Sequence, residues 1–206
     1  MLDIGANIGA HTLQFARLVG PKGRVYAFEP TAFAFAKLRR NIDLNPPLRA
    51  RIMADQVMLS DRDDSLLDAE IYSSWPVVSE SNLHPKHGGR YQSTKGARVS
   101  TLDAYLVASG VRKVDFIKMD VDGFECHVLA GGIKSLAAYK PIILMELSPY
   151  VLVEHGRSVD ELLSLLASAG YRLSSLSGRG LASDPKLLNA AVPEGSGFNV
   201  IARCEQ

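Results

Sequence analysis

The chain has 206 residues, with 23 Lys and Arg against 22 Asp and Glu and a net charge of +1. At about 100–200 residues per domain this reads as one domain over 1–206, and 47% hydrophobic with 22% charged residues is the composition of a globular chain able to bury a full core. The even charge argues against nucleic-acid binding by bulk positive charge, no apolar run nears the roughly 18 residues that cross a bilayer, and no basic-then-apolar leader opens the chain, so a cytoplasmic location without membrane or nucleic-acid partners is expected.

Residues 2–4 form a short apolar run that Gly5 stops, which predicts the end of a strand. Leu13, Ala16 and Val19 have helical spacing and predict a helix over 11–18, ended by Gly20 and Pro21. RVYAFE at 24–29 reads as a second strand stopped by Pro30. A helix over 31–44 follows, with Phe35, Leu38 and Ile42 on one face. Asn45, Pro46 and Pro47 end it, because proline lacks the donor and restricts the residue before it. A third strand is expected over 51–54.

Residues 56–100 are irregular and predict a hairpin-like excursion with a mobile loop. They hold Tyr72 and Trp75, which either line an acceptor pocket or pack the excursion, and a polar tract containing His84 and His87. A short helix over 101–109 comes next, with Asp103 expected to cap its start. VDFIKM at 114–119 and IILMEL at 142–147 read as buried strands, with a helical stretch over 125–138 interrupted by Gly131 and Gly132. Ser158 and Glu161 make a capping box ahead of Leu162, Leu165 and Leu166, with Gly170 as the stop. Residues 171–176 and 199–202 supply the last two strands. Two cysteines argue against a disulfide scaffold, and Cys126 reads as an apolar packing residue.

Alternating strands and helices, with apolar middle strands, imply a parallel sheet covered by helices on both faces. Ligands of such sheets bind beyond the carboxyl ends of the strands. The candidate residues are therefore those at 3–9, Glu29, those at 55–58, those at 120–125, and Glu146.

The strongest signal is DIGANIG at 3–9, between a strand end and a helix start. Gly5 and Gly9 permit a tight turn and close approach of a ligand to bare backbone, and the amides opening the next helix point at that ligand. Glu29 follows Gly9 by 20 residues, where a carboxylate accepts ribose hydroxyls. The loop departs from the dinucleotide pattern, with Asn7 in place of the second glycine and Ala10 of the third. That speaks against a pyrophosphate and for a nucleoside with a different tail. S-adenosylmethionine fits, with Asp3 facing its ammonium and loop amides its carboxylate. Ala6, Pro30, Asp55 and Met58 complete the candidate cofactor set.

DIGANIGAHT, AFEP at 27–30, DFIKMDVDGFECHVLAGG at 115–132 and PIILMEL at 141–147, in that order, resemble the FkbM-type family of S-adenosylmethionine-dependent methyltransferases. The resemblance covers nearly the whole chain. It implies a Rossmann-like class I methyltransferase fold, a mostly parallel seven-stranded sheet with strand order 3-2-1-4-5-7-6 and the seventh strand antiparallel. Because the chain starts inside its first strand, an N-terminally shortened version of that fold is expected. The family implies methylation of an oxygen on a small metabolite or sugar, with Asp3, Gly5, Asn7 and Gly9 in the cofactor loop, Glu29 on the ribose and Asp120 beside the methyl donor. It usually has Glu where this chain has Asp122, one methylene shorter.

Methyl transfer rests on holding the acceptor oxygen in line with the sulfonium, and a hydroxyl acceptor gains from a base. Asp120 is a candidate for that base or for the cofactor's amino-acid end. Asp122 and Glu146 lie beyond the same strand ends and are candidate catalytic residues. Glu125 is either another such acid or a first-turn helix acid. His127 and His11 are weaker base candidates. No resident metal is expected: His84 and His87 lack a third ligand of sensible spacing, and the acids, although oxygen ligands of the kind Mg²⁺ takes, occur at sheet ends without metals. Competing readings are an NAD-dependent oxidoreductase and a non-catalytic nucleoside-binding scaffold of the same fold. A small-molecule acceptor is the expected partner, and a homodimer is a further expectation.

Overall fold

The computed structural model describes residues 1–63, 70–73, 90–193 and 195–204, and the backbone alone of Tyr72 and Ser73. The chain divides into two units, Met1–Met58 with Asp64–Val99, and Leu59–Asp63 with Ser100–Gln206.

In the first unit β1 (Leu2–Ile4) is buried at every residue. It leads through α1 (Ala10–Leu18) to β2 (Val25–Phe28), α2 (Ala32–Asp43), α3 (Pro46–Arg49) and β3 (Ile52–Asp55). β2 runs parallel to β1, with Leu2 opposite Tyr26, and to β3, with Val25 opposite Ile52. The helices cover this half-sheet for a simple reason of period. Ala34, Leu38 and Ile42 recur every four residues on the buried face of α2, and Leu38 and Ile42 cluster with Ala16 of α1 and Val25, Ala27 and Ile52 of the strands. Asn45, Pro46 and Pro47 do end α2, yet the same prolines open α3. A helix's first turn needs no backbone donor, so proline starts one where it stops another.

The excursion after β3 contains β4 (Val57–Ser60), β5 (Glu70–Ser73), β6 (Arg90–Ser93) and β7 (Arg98–Thr101). β5 and β6 pair antiparallel, with Tyr72 opposite Tyr91, which supplies the hairpin-like element. Trp75, His84, His87 and the Tyr72 side chain lie outside the described residues.

The second unit continues with α4 (Leu102–Ala108), β8 (Phe116–Met119), α5 (Glu125–Ala130), α6 (Ile133–Tyr139), β9 (Ile142–Leu147), α7 (Pro149–Glu154), α8 (Val159–Ser168), β10 (Tyr171–Ser175), α9 (Pro185–Ala191) and β11 (Phe198–Cys204). β8 and β9 are parallel, while β11 is antiparallel to both β9 and β10. Each unit thus reproduces its half of the expected order, 3-2-1 in the first and 4-5-7-6 in the second, with the last strand antiparallel. The architecture is a mostly parallel seven-stranded α/β sheet of the Rossmann-like class.

Gly131 and Gly132 split the expected helix into α5 and α6. A Cβ on Gly131 would stand 2.0 Å from the Ser60 carbonyl oxygen, so only glycine fits. Asp103 departs from expectation. Thr101 caps α4, accepting from the Ala104 amide at 3.2 Å, while Asp103 reaches to α6 and accepts from the Lys134 and Ser135 amides at 3.2 and 2.8 Å. A carboxylate one turn into a helix is free to cap a neighbour whose own N-cap, Gly132, has no side chain. α7 and α9, unforeseen in the sequence, both open on proline, Pro149 and Pro185, and Asp184 caps the latter through the Lys186 amide at 2.8 Å. Ser158 caps α8 through the Glu161 amide at 3.1 Å, but Glu161 itself turns to Arg157 at 2.6 Å instead of closing the box. Among the described residues no helix is long and apolar enough to cross a membrane.

Candidate active site

In the first unit the chain leaves β1 through three left-handed residues, Gly5 (φ 77°), Asn7 (φ 49°) and Gly9 (φ 91°). Glycine takes this conformation without strain, and Asn is among the few others that tolerate it. The Asn7 side chain helps by accepting from the Ile8 amide at 2.8 Å. The turn is fastened to the end of β2. Gly5 and Ala6 amides donate to the Phe28 carbonyl at 3.1 and 2.9 Å, and the Asn7 amide donates to Glu29 Oε2 at 2.9 Å. Glu29 is buried, and its other oxygen accepts from the Thr31 amide at 2.8 Å and from the Thr31 hydroxyl.

Asp3, fully buried at the centre of β1, accepts from the Thr12 hydroxyl of α1 at 2.5 Å. Asp55 closes β3 and accepts the Glu29 amide through its carbonyl at 3.3 Å. The Pro30 carbonyl accepts from Gln56 at 3.1 Å, and Met58 sits half-buried on β4. Of the predicted nucleoside residues, Gly5, Ala6 and Asn7 are bonded to the end of β2 at Phe28 and Glu29, Asp55 meets Glu29 through its backbone, and Asp3 is held by Thr12. Thr12, Thr31 and Asn41, which donates to the Ile8 carbonyl at 2.8 Å, belong to the same assembly and escaped the sequence reading. Their signal was weak, because hydroxyls and amides early in helices are common caps. His11 is exposed on α1 and stacks on Phe15 at 6.0 Å.

The second unit gathers a different chemistry beyond β8 and β9. Lys118, 8% exposed at its side chain, holds Asp120 at 3.3 Å, while Asp120 is 46% exposed. A lysine inside an apolar strand was the available signal, since a buried ammonium demands a partner. Asp122 (φ 48°) and Gly123 (φ 99°) form a second left-handed turn. Gly123 packs so closely on α7 that a Cβ there would stand 2.4 Å from His155 and 2.9 Å from the Val151 carbonyl oxygen. Glu125 folds back under this turn, buried, with the Gly123 amide 3.5 Å from its Oε1. Burial pushes its pKa up to about 7 against the pull of the backbone donors at Glu125 and Gly123, and Asp122 adds to the rise.

Glu146 lies on β9 directly across from Asn199 of β11. Burial first, then the charges of Asp120 and Asp122, raise its pKa, while the Ser148 hydroxyl and Lys118 oppose the rise. The Gly197 backbone lies against it, since a Cβ there would stand 1.9 Å from Ser148 Oγ and 2.4 Å from Glu146 Oε1. Tyr150 belongs to the same group, its pKa raised by burial and by Glu146, Glu154 and Asp122. Asp120, Asp122 and Glu146 are thus brought into one electrostatic neighbourhood.

His127 is placed differently. Its Nε2 accepts from Arg157 at 3.3 Å, and Arg157 also holds Asp61 at 3.0 Å and Glu161 at 2.6 Å. Burial and then the guanidinium lower its pKa. The Arg157 bond ties α5 to the segment just ahead of α8 and occupies the Nε2 lone pair. Among the described residues no group of three or more His, Cys, Asp or Glu is arranged to hold a metal ion.

Each unit thus carries a left-handed turn with acids close by at the carboxyl ends of its parallel strands, where Rossmann-like α/β sheets take their ligands. The chain belongs to the methyltransferase FkbM domain family, which it matches over residues 3–173. It is 29% identical over 202 residues to the 2-O-methyltransferase NoeI of Sinorhizobium fredii, across 92% of this chain and 79% of that one. It is 30% identical over 176 residues to the hexuronic acid methyltransferase AglP of Haloferax volcanii, across 81% of this chain and 61% of that one. The crystal structure of an FkbM methyltransferase from Methylobacillus flagellatus superposes with a TM-score of 0.58 at 18% identity, covering 98% of this chain and 42% of that one. The likeness confirms the fold, and the family makes the chain a methyltransferase, which sets the nicotinamide reading aside.

Proposed function

We propose that this protein transfers a methyl group from S-adenosylmethionine to a hydroxyl of a saccharide or similar small polyol. The reading rests on the Asn7 to Glu29 hydrogen bond, which ties the glycine turn to the acid of the second strand. That arrangement places a buried carboxylate at the end of β2 against the glycine turn that opens α1, the position of a ribose-binding acid in Rossmann-like sheets. Asp3, Gly5, Ala6, Asn7, Gly9, Glu29, Pro30, Asp55 and Met58 are assigned to the cofactor. Asp120 is assigned to the reacting end. The methylated hydroxyl follows from the relatives NoeI and AglP, whose names describe a 2-O-methyltransferase and a hexuronic acid methyltransferase.

The cofactor supplies an electrophilic methyl on a sulfonium. With it bound, an acceptor hydroxyl would take the methyl while the sulfur leaves as a neutral thioether, and the chain's part would be to hold that hydroxyl and accept its proton on a carboxylate. Glu146 is assigned that proton, because burial and the charges of Asp120 and Asp122 raise its pKa and make it a stronger base than an ordinary carboxylate. Asp120, held by Lys118, and Asp122 orient the acceptor. Calorimetry with S-adenosylmethionine and with its demethylated product tests the cofactor half, with micromolar binding expected. Glu29→Gln, which keeps the shape and removes the charge, weakens that binding by about 1–3 kcal/mol. A folded protein that binds neither ligand overturns the proposal.

A further inference from the structure

A threonine at a helix N-cap ordinarily accepts, through its hydroxyl, from an amide of the helix it opens. Thr101, Ser158 and Asp184 spend their side-chain oxygens in this way on α4, α8 and α9. Thr31 opens α2 in extended backbone, at φ −76° and ψ 134°, and its carbonyl takes the first helical bond from the Phe35 amide at 3.0 Å. Its side chain nevertheless caps nothing, as is also true of Ser148 at α7. The Thr31 hydroxyl turns back past Pro30 and donates to Glu29 Oε1, which also accepts the Thr31 amide at 2.8 Å. Helix stability alone favours the opposite use of that hydroxyl, so its direction serves the carboxylate. Both donors of one residue thus converge on one oxygen of an acid that is 5% exposed. The Asn7 amide holds the other oxygen at 2.9 Å, and Gln56 holds the Pro30 carbonyl at 3.1 Å. Proline fixes its own φ and restricts the residue before it to extended backbone. The segment from Glu29 to Thr31 therefore has little freedom left. A carboxylate fixed before a ligand arrives pays less ordering entropy when it accepts the ligand's hydroxyls. Of the three donors on Glu29 only the Thr31 hydroxyl belongs to a side chain, so it alone can be removed without touching the backbone.

We infer that Thr31 is a positioning residue for the cofactor, its hydroxyl presetting the Glu29 carboxylate in the orientation that accepts the ribose hydroxyls. This inference rests on the assignment of Glu29 to the ribose made above, and it adds the side chain through which that acid is held ready.

The test is calorimetric titration with S-adenosylhomocysteine and with its 2′,3′-dideoxy analogue, which differ only in the two ribose hydroxyls. The parent is compared with Thr31→Val, which keeps the side-chain volume, and with Thr31→Ala, which does not; both remove the hydroxyl donor and leave the amide. The parent is expected to bind S-adenosylhomocysteine about 100-fold more tightly than the dideoxy analogue. Each variant loses about tenfold for S-adenosylhomocysteine and less than about twofold for the analogue, which brings no hydroxyl for Glu29 to accept. Thr31→Ser, which keeps the donor, binds S-adenosylhomocysteine within about twofold of the parent. Equal losses for the two ligands would show that Thr31 acts on the fold alone and overturn the inference, and so would an unchanged affinity for S-adenosylhomocysteine in the Val and Ala variants. A parent that binds both ligands equally well overturns the assignment of Glu29 to the ribose. A folded parent that binds neither overturns the cofactor reading itself.

Discussion

The turn between β1 and α1 and the turn between β8 and α5 use one device with different fastenings. Both carry a non-glycine residue in left-handed conformation, Asn7 at φ 49° and Asp122 at φ 48°, and both lean on a buried glutamate. Glu29 collects three donors, the closest amide at 2.8 Å. Glu125 receives the Gly123 amide at 3.5 Å, and its burial outweighs the backbone donors around it. A carboxylate with short hydrogen bonds is a fixed strut. One that is desolvated and loosely bonded keeps its proton toward neutral pH. The turn after β8 therefore carries a carboxyl group that titrates near neutral pH.

Steric tolerance should separate the two turns most strongly. Gly123→Ala places a Cβ against the His155 ring and the Val151 carbonyl, backbone that has little room to move, in a left-handed conformation. Strain and overpacking together predict a loss of about 4 kcal/mol. Gly9→Ala meets only the tip of Leu38 at 2.5 Å, and a leucine methyl can rotate away, so about 2 kcal/mol is expected. Urea unfolding of the two variants checks the ranking, and equal losses would show that the turns are equally packed.

Protonation separates them next. The Glu125 pKa of about 7 in the folded protein lies above its ordinary value of 4.5. The unfolded chain releases this proton first as pH rises. Stability contributed by the protonated acid is thus complete below about pH 4.5 and lost by about pH 7, an amount of about 3 kcal/mol. Glu125→Gln removes that dependence. At pH 8 the variant is expected to be more stable than the parent by about 3 kcal/mol, and at pH 4.5 about equal to it. Denaturation curves at both pH values decide, and a glutamine variant weakened alike at both would mean that the carboxylate is not held by its proton.

These differences mark where the sequence was legible. Period and punctuation placed every strand of the seven-stranded sheet, because a run such as IILMEL bounded by proline and serine has few other uses. The left-handed turn was legible because glycine and asparagine mark that backbone, and its bond to Glu29 joins two places the sequence had singled out. Lys118 was hidden by its strand, whose apolar neighbours read as core. Glu125 read as either a strand-end acid or a first-turn helix acid, since no local pattern says that a side chain folds inward. Asp103 misled for a related reason: capping partners across helices depend on packing, and Thr101 was the nearer cap. α7 and α9 were missed because each is short and its opening proline reads first as a stop.

The first turn has a tether that the second lacks, the bond from Thr12 to the buried Asp3. Thr12→Val keeps the volume and removes the donor, at a cost of about 2 kcal/mol for a buried carboxylate losing its partner. The same substitution also tests the cofactor assignment. If Asp3 serves the ammonium of a bound ligand, saturating S-adenosylmethionine stabilises Thr12→Val by more than it does the parent, because the ligand replaces the missing donor. An equal ligand-induced rise in Tm for the two proteins would show that Asp3 is purely structural.

The smallest contrast concerns the left-handed residues themselves. Glycine at position 7 or 122 relieves about 1 kcal/mol of backbone strain and loses a similar amount to the greater freedom of the unfolded chain. At Asp122 these nearly cancel, and removing a charge that opposes the ionised forms of Glu125 and Glu146 relieves repulsion, so Asp122→Gly is expected to leave stability unchanged or slightly raised. Asn7→Gly also removes the side-chain bond to the Ile8 amide, and about 1 kcal/mol should be lost there. If the two substitutions proved equal by thermal unfolding, the Asn7 side chain would be idle in its own turn. The presence of asparagine where dinucleotide folds use glycine would then have to be explained by contact with the cofactor rather than by the turn.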